Sequence, residues 1–171
     1  ISVDCTFDDT KTSDRVSFTV GGRLGSAKYI LDMVVKQMDL PGTIAVLKDL
    51  CGKWPMARVK LVERAANGPA LISLMQFQKA IPGLIGVKAV GSKWSRAKVS
   101  AWAFEAGDVW LPAEAPWLLD FTEEHIDFTG KEGDQDDLVD SFSQMILRWD
   151  GEVEEDPIQA HKDEFGWMGG L

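Results

Sequence analysis

The chain has 171 residues, a length that suits one domain with a short tail, and it is 45% hydrophobic, which excludes a disordered or fibrous protein. Its 18 Lys and Arg against 27 Asp and Glu give a net charge of −9, and this acidity taken alone argues against a nucleic-acid partner. The charge is uneven, however: residues 1–100 carry 15 basic and 8 acidic side chains and residues 101–171 carry 3 and 19, which indicates a phosphate-facing surface in the basic part.

The first third of the chain is rich in strand patterns. Alternating apolar and polar residues predict a strand over 1–7, and a glycine-containing turn predicts a hairpin over 16–35. Apolar residues at helical spacing predict a helix over 41–52, and residues 58–63 form the next strand.

The rest of the chain alternates between helices and strands up to an acidic tail. The predicted elements are a helix over 68–79, a strand over 84–90, a helix over 92–106, an extended piece over 109–112, and helices over 116–127 and 136–149. Three strands joined by tight turns, followed by alternating elements, predict an α/β fold. Its mixed central sheet has antiparallel first strands, then parallel strands, and is flanked by helices. We expect a domain over 1–150 and an acidic, glycine-containing tail over 151–171.

Neither membrane nor disulfide signals appear. No apolar run reaches the roughly 18 residues of a membrane span, and the start of the chain has no leader pattern, so we expect a protein that is not secreted. The two cysteines, Cys5 and Cys51, form neither a disulfide framework nor a zinc spacing, and we interpret them as reduced, mainly buried thiols.

Two carboxylates fall at strand positions where their burial is costly. Asp4 lies inside the first strand, and Glu63 ends the strand that begins near residue 58. A carboxylate in an apolar strand needs a positive partner, either Lys or Arg or a divalent metal ion.

A third acidic group opens the last helix. Asp137 and Asp140 are three residues apart and share a helical face, whereas Asp134 and Asp136 are interpreted as helix caps. Carboxylates suit Mg²⁺ or Mn²⁺, and two such ions roughly 4 Å apart hydrolyse phosphodiesters. Asp4, Glu63 and Asp137, with Asp140 in support, are the candidate ligands.

A phosphate-binding loop is excluded. Residues 86–93 approach the pattern of such a loop, but Ser92 stands where the essential lysine belongs and Lys93 comes one residue late. We therefore expect no nucleotide site there.

The order of these motifs resembles the C-terminal nuclease domain of tailed-phage terminase large subunits, an RNase H-like fold related to Holliday-junction resolvases. The resemblance extends over about residues 2–148. The residues that carry it are at positions 2–4, 14–17, 29–32, 62–68, 92–97, 107–112 and 136–140. It implies that Asp4, Glu63 and Asp137 bind metal and that an Asp-x-x-Asp pattern adds Asp140. Asp14 is either a weaker ligand or a solvated turn residue. Asp32 is either a ligand or a salt-bridge partner.

The resemblance also implies an activity and its partners. The activity is a Mg²⁺- or Mn²⁺-dependent endonuclease, with two ions, that cuts concatemeric double-stranded viral DNA during packaging with little sequence specificity. The partners are an upstream ATPase motor domain of the same polypeptide, the portal and the small terminase subunit, in the cytoplasm of an infected bacterial host. The alternatives are another RNase H-like nuclease, of the resolvase or integrase type, and a non-catalytic module that docks DNA or a portal ring.

Basic residues are expected along the DNA path. Lysine or arginine beside a phosphate adds affinity without reading sequence. The candidates are Lys93, Arg96, Arg64, Arg23 and Lys28. We interpret Lys98 as solvated and Trp94 and Trp102 as core residues, and we assign His125 no catalytic role.

Overall fold

The computed structural model describes residues 1–5, 15–64, 68–77, 81–89, 91–151 and 154–155. The strands are β1 (Ser2–Cys5), β2 (Val16–Leu24), β3 (Ala27–Lys36), β4 (Lys60–Glu63), β5 (Leu84–Lys88), β6 (Val109–Trp110) and β7 (Glu154–Glu155). The helices are α1 (Leu40–Lys53), α2 (Gly68–Phe77), α3 (Lys93–Glu105), α4 (Leu118–Asp127) and α5 (Asp137–Asp150).

The described strands form one mixed sheet in the order β6-β3-β2-β1-β4-β5-β7. β1 pairs antiparallel with β2, and β2 with β3, whereas β4 lies parallel to β1 and β5 parallel to β4. The predicted mixed sheet with antiparallel first strands and later parallel strands is therefore confirmed. In the stretch predicted as a tail, β7 pairs antiparallel with β5 at the edge of the sheet.

Alternation along the strands divides the sheet into two faces. Val3, Phe18 and Val62 point to one face and pack with Leu47 of α1 and Leu71 of α2 in an apolar core. The neighbouring residues of the same strands point to the other face, because successive side chains of a strand alternate. α5 crosses that second face, in contact with β1 and β2, and packs against α3 and α4.

The contact of α5 with β1 and β2 is polar rather than apolar. Gln144 Nε2 donates to Ser2 Oγ at 2.8 Å, and Thr19 Oγ1 lies 2.9 Å from Ser141 Oγ. All four side chains are buried, so each needs its partner, and we call this set the polar seam. The seam fixes how α5 lies along the two strands, because a shift of the helix would leave these groups unpaired.

Close approach at Gly21 fixes the other end of α5. A Cβ atom on Gly21 would lie 2.6 Å from Met145 Sδ and 2.7 Å from a ring carbon of Trp149. The pairing of β2 with β3 shifts register between Val20 and Gly21, so the strand bends where the helix passes. A side chain at this position would force Met145 and Trp149 of α5 to move.

The structure also places the cysteines, Asp32 and two of the tryptophans. Cys5 is buried, and Cys51 is partly buried; both are free thiols. Asp32 forms a salt bridge with Lys53 at 2.6 Å. The interpretation of Trp94 and Trp102 as core residues is wrong, because 53% and 57% of their surfaces are exposed. Within the described ranges, none of the helices combines the length and apolar character that a bilayer crossing requires.

Candidate active site

The carboxyl ends of β1 and β4 bring two acidic residues side by side. Val3 pairs with Val62 in the parallel register, so the next residues, Asp4 and Glu63, are neighbours on the face covered by α5. On its other side Asp4 pairs with Ser17, whose hydroxyl donates to the backbone carbonyl of Asp137 at 2.5 Å. The first turn of α5 therefore lies directly over Asp4.

At this end of the sheet the charges of three other carboxylates act on Asp4. Burial raises the pKa of Asp4 well above its usual range, and the charges of Asp140, Glu63 and Asp137 raise it further. Burial also raises the pKa of Glu63, with Asp140 adding to the shift and Arg96 and Lys93 opposing it. Metal-free, Asp4 therefore holds a proton well above the pH at which a solvated aspartate loses it.

Two cations of α3 face Asp140. Lys93 Nζ lies 3.0 Å from Asp140 Oδ2 and 2.7 Å from Asp136 Oδ2, and Arg96 Nη2 lies 3.1 Å from Asp140 Oδ1. Burial would lower the pKa of Lys93, but hydrogen bonds and charge from Asp136 and Asp140 raise it above its ordinary value. Both Asp140 oxygens thus have a charged donor.

Arg15, the residue before β2, neutralises Asp137. Its Nε donates to Asp137 Oδ2 at 2.8 Å, and its Nη2 lies 2.9 Å from Glu124 Oε2. Burial raises the pKa of Asp137, although the hydrogen bond and charge of Arg15 oppose that shift. One arginine therefore joins the start of β2 to both α4 and the start of α5.

The donor set has the chemistry of a hard divalent-cation site. Carboxylate oxygens are the ligands that Mg²⁺ and Mn²⁺ prefer, and the charges of Asp140, Glu63 and Asp137 add to the burial that raises the pKa of Asp4. Within the described residues no three His, Cys, Asp or Glu side chains are grouped as metal ligands. Two of the candidate acids have cationic partners: Asp137 faces Arg15, and Asp140 faces Lys93 and Arg96.

The remaining predicted residues lie elsewhere. Arg23 follows Ser17 by six residues along β2, a separation of about 20 Å, and its guanidinium donates to Trp149 O. Lys28 is buried beside Asp150. Arg64 is exposed and lies against Gly86, where a Cβ would be 2.5 Å from its Nε, on the face of the sheet opposite α5. Asp14 lies outside the described residues, as do residues 156–171 of the predicted tail.

A family model, described as the terminase RNaseH-like domain, matches residues 1–148. The chain belongs to this family. No curated protein matches it in sequence.

Two solved structures from phage large terminases have the same fold. The large terminase of a thermophilic bacteriophage is 15% identical and superposes with a TM-score of 0.63 over 86% of this chain and 38% of the phage chain. The large-terminase (g2p) nuclease domain of bacteriophage SPP1, with bound Mn, is 14% identical, with a TM-score of 0.59 over 87% of this chain and 84% of that one. The predicted RNase H-like fold is therefore confirmed. The match spans about two fifths of the thermophilic phage's terminase.

Two residues of the candidate site were absent from the sequence-based candidates. Glu124 lies in α4, and Arg15 directly precedes β2. No sequence spacing links either residue to Asp137. Glu124 is 6% exposed, and its side chain reaches the first turn of α5. Helical spacing is the signal that could have found Glu124. Phe121 packs in the core, and Glu124 lies one turn later on the same face of α4, so its carboxylate is expected to be buried.

Proposed function

We propose that this terminase domain is a divalent-metal-dependent endodeoxyribonuclease that cuts concatemeric double-stranded viral DNA during genome packaging, with little sequence specificity. The observation that carries the proposal is geometric: Asp4 and Glu63 lie side by side at the ends of β1 and β4, and the first turn of α5, which carries Asp137 and Asp140, is hydrogen-bonded to Ser17 beside Asp4. Neighbouring carboxylates that can hold divalent ions beside basic side chains suit the hydrolysis of a phosphodiester.

Asp4, Glu63 and Asp137 would hold Mg²⁺ or Mn²⁺, two ions in the proposed mechanism, with Asp140 in support and Asp14 as a weaker ligand. When bound, the ions supply activation of a water molecule and stabilisation of the leaving oxygen. The Mn carried by the SPP1 nuclease domain, which has the same fold, supports this choice of cation.

The side chains of the chain itself prepare the site for an ion. Burial and neighbouring charges raise the pKa of Asp4 in the metal-free domain, and positive charge at the site would favour its ionised, ligating form. Lys93 and Arg96 hold Asp140 in place from α3. Ser17 fixes the first turn of α5 above Asp4 through the Asp137 carbonyl.

The DNA would pass over the start of α3. Lys93 combines a half-exposed side chain with a place beside the carboxylates, which suits contact with the phosphate next to the cut bond. Arg96, by contrast, is buried, and its role in the proposal is to orient Asp140. Arg64 and Arg23 remain predicted DNA contacts outside the carboxylate site. Lys28, the third, is buried beside Asp150 and would have to turn outward to reach a phosphate.

The partners and setting follow from the family. We propose an upstream ATPase motor domain in the same polypeptide, contacts with the portal and the small terminase subunit, and action in the cytoplasm of an infected bacterial host. The match to 38% of the thermophilic phage's large terminase supports a domain that works within a longer protein.

A non-catalytic DNA-docking module is the second candidate function. The observation that favours it is that Asp137 and Asp140 are paired with Arg15, Lys93 and Arg96. Such pairing would suffice to stabilise an inert fold. The two functions differ in what they predict for metal.

Plasmid cleavage in Mn²⁺ separates these functions. We expect the wild-type chain to nick and linearise supercoiled DNA, EDTA to abolish cutting, and Asp137→Ala to lower the rate by about 100-fold or more, because a ligand is lost. Asp120→Ala removes an exposed carboxylate from α4 and serves as the matched control with wild-type activity. Absence of metal-dependent cutting in the wild type, or equal cutting by Asp137→Ala, contradicts the nuclease proposal.

A further inference from the structure

Glu124 of α4 is a buried carboxylate whose acceptor positions are all in use. Its Oε1 accepts from the backbone N–H of Leu138 at 2.5 Å and of Val139 at 3.1 Å. Its Oε2 accepts from Arg15 Nη2 at 2.9 Å and from Gln135 Nε2 at 3.2 Å. A carboxylate offers about four lone-pair positions, so Glu124 has no capacity left for a metal ion.

The first two of these bonds cap α5 from another helix. The first N–H groups of a helix have no partner within it, and a side chain at the N-cap position usually accepts from them. Asp136 occupies that position in α5 but makes no capping bond and pairs with Lys93 instead. Glu124 supplies the missing acceptor, and its negative charge also complements the positive end of the helix dipole.

The third bond connects this cap to the acids of the site. Arg15 donates to Glu124 through Nη2 and to Asp137 through Nε, so the guanidinium spans the two carboxylates. The side chain of Glu124 is 2% exposed and that of Arg15 is 23% exposed, so solvent screens this pair weakly. Glu124 therefore fixes both the backbone that carries Asp137 and the cation that faces it.

We propose that Glu124 is a positioning residue of the candidate active site, which holds the first turn of α5 and Arg15 in the arrangement that presents Asp137 to metal and DNA. This inference rests on the proposed nuclease function. Residues that hydrogen-bond to the immediate surroundings of a metal site commonly change metal affinity or activity by about 10- to 100-fold when they are substituted.

Two substitutions of Glu124 separate its two tasks. Glu124→Gln keeps an amide oxygen for the N–H groups of α5 but removes the charge that holds Arg15. Glu124→Ala removes both. Glu123→Gln is the matched control, because it makes the same change at the adjacent, exposed position of α4.

The experiment measures Mn²⁺ affinity by calorimetry and amide hydrogen exchange of Leu138 and Val139 by NMR, for the 171-residue chain and each variant. We expect Glu124→Gln to weaken Mn²⁺ binding about tenfold with little change in exchange. Glu124→Ala weakens binding as much or more and also accelerates exchange at Leu138 and Val139. Glu123→Gln matches the wild type in both measurements.

Wild-type Mn²⁺ affinity in Glu124→Gln together with wild-type exchange in Glu124→Ala overturns the inference. If the wild type itself binds no Mn²⁺, the proposed function fails, and the exchange measurement still decides whether Glu124 holds α5. Should Glu124→Ala not fold, Glu124→Gln decides alone: weaker Mn²⁺ binding supports the positioning role and unchanged binding contradicts it.

Discussion

The ammonium group of Lys93, at the start of α3, lies 3.0 Å from Oδ2 of Asp140 in the first turn of α5. Lys93 is half-exposed, whereas Asp140 is buried, so the lysine acts as an internal counter-charge that can turn to solvent. Because of this pairing, we expect Lys93 to weaken the binding of metal and to strengthen the binding of DNA.

Lys93→Gln should bind Mn²⁺ more tightly and DNA more weakly. The substitution removes a cation that competes with metal for Asp140, and it removes one phosphate contact, which lowers the salt dependence of DNA binding by about one unit of slope. Calorimetry with Mn²⁺ and DNA binding at several salt concentrations check the two effects. Lys98→Gln, at an exposed position of α3, is the control. Weaker Mn²⁺ binding by Lys93→Gln would refute the competition.

Asp4→Asn should stabilise the metal-free domain while abolishing metal-dependent cleavage. The pKa of Asp4 is raised in the folded state, so above the ordinary aspartate pKa of 3.8 the folded chain keeps a proton that the unfolded chain has lost. The free energy of unfolding therefore falls as the pH rises from 3.8 through the raised pKa. Asparagine does not titrate, so the advantage of the variant over the wild type grows with pH across that window. A gain on the order of 1 kcal/mol corresponds to about 2–4 °C in Tm.

Thermal unfolding at pH 5 and pH 8 checks the Asp4 prediction, with Asp120→Asn as the control for loss of an exposed carboxylate. Mn²⁺ should raise the Tm of the wild type and leave that of Asp4→Asn nearly unchanged, because ligands stabilise the state that binds them. A variant that is less stable than the wild type at pH 8 would contradict the account of Asp4.

His125 should make the domain acid-labile. It lies among Phe104, Phe121 and Phe142, and burial lowers its pKa from 6.5 to about 4, despite a hydrogen bond to the carbonyl of Phe121. The unfolded chain binds the proton first, so stability is lost as pH falls from 6.5 towards 4, by up to about 3 kcal/mol. His125→Phe should lose less stability than the wild type between pH 7 and pH 4.5 in urea denaturation. Parallel losses in both proteins would show that His125 does not contribute.

The polar seam should show strong coupling between Thr19 and Ser141. Ser141→Ala leaves the buried Thr19 hydroxyl without its partner and should cost about 1–2 kcal/mol, whereas Thr19→Val combined with Ser141→Ala removes both polar groups. We expect the double variant to be less destabilised than the sum of the single variants, by about 1 kcal/mol. Urea denaturation of the four proteins measures this coupling, and additive losses would mean that the two hydroxyls act independently.

Patterns confined to one element predicted the fold well. The apolar stripe of α5 and the alternation in β1 and β2 depend on neighbours in sequence, so their helix and strands could be read directly. The same local reasoning placed Asp137 and Asp140 at the start of one helix. It missed the exposure of Trp94 and Trp102, because a tryptophan on a helix does not reveal whether another element covers it.

Ion pairing was the part that local patterns could not supply. Lys93 and Arg96 are three residues apart on α3, and both were predicted to contact DNA. The structure buries Arg96 against Asp140 and leaves Lys93 half-exposed. Arg15 and Glu124 lie 109 positions apart in sequence and meet only because α4 and α5 pack over the start of β2.

The sequence by itself determined the order of the elements and the mixed sheet, and it showed which acidic residues stand in the strands and at the start of the last helix, because each depends on residue type and short-range spacing. The tertiary structure decided which charges meet: that Asp4 is buried beside Glu63 and the start of α5, that Asp140 faces two cations, and that Glu124 caps a helix to which it does not belong. The physical reason is that Coulomb interactions and hydrogen bonds depend on distances of a few ångströms and on burial, and both are set only when distant elements pack together.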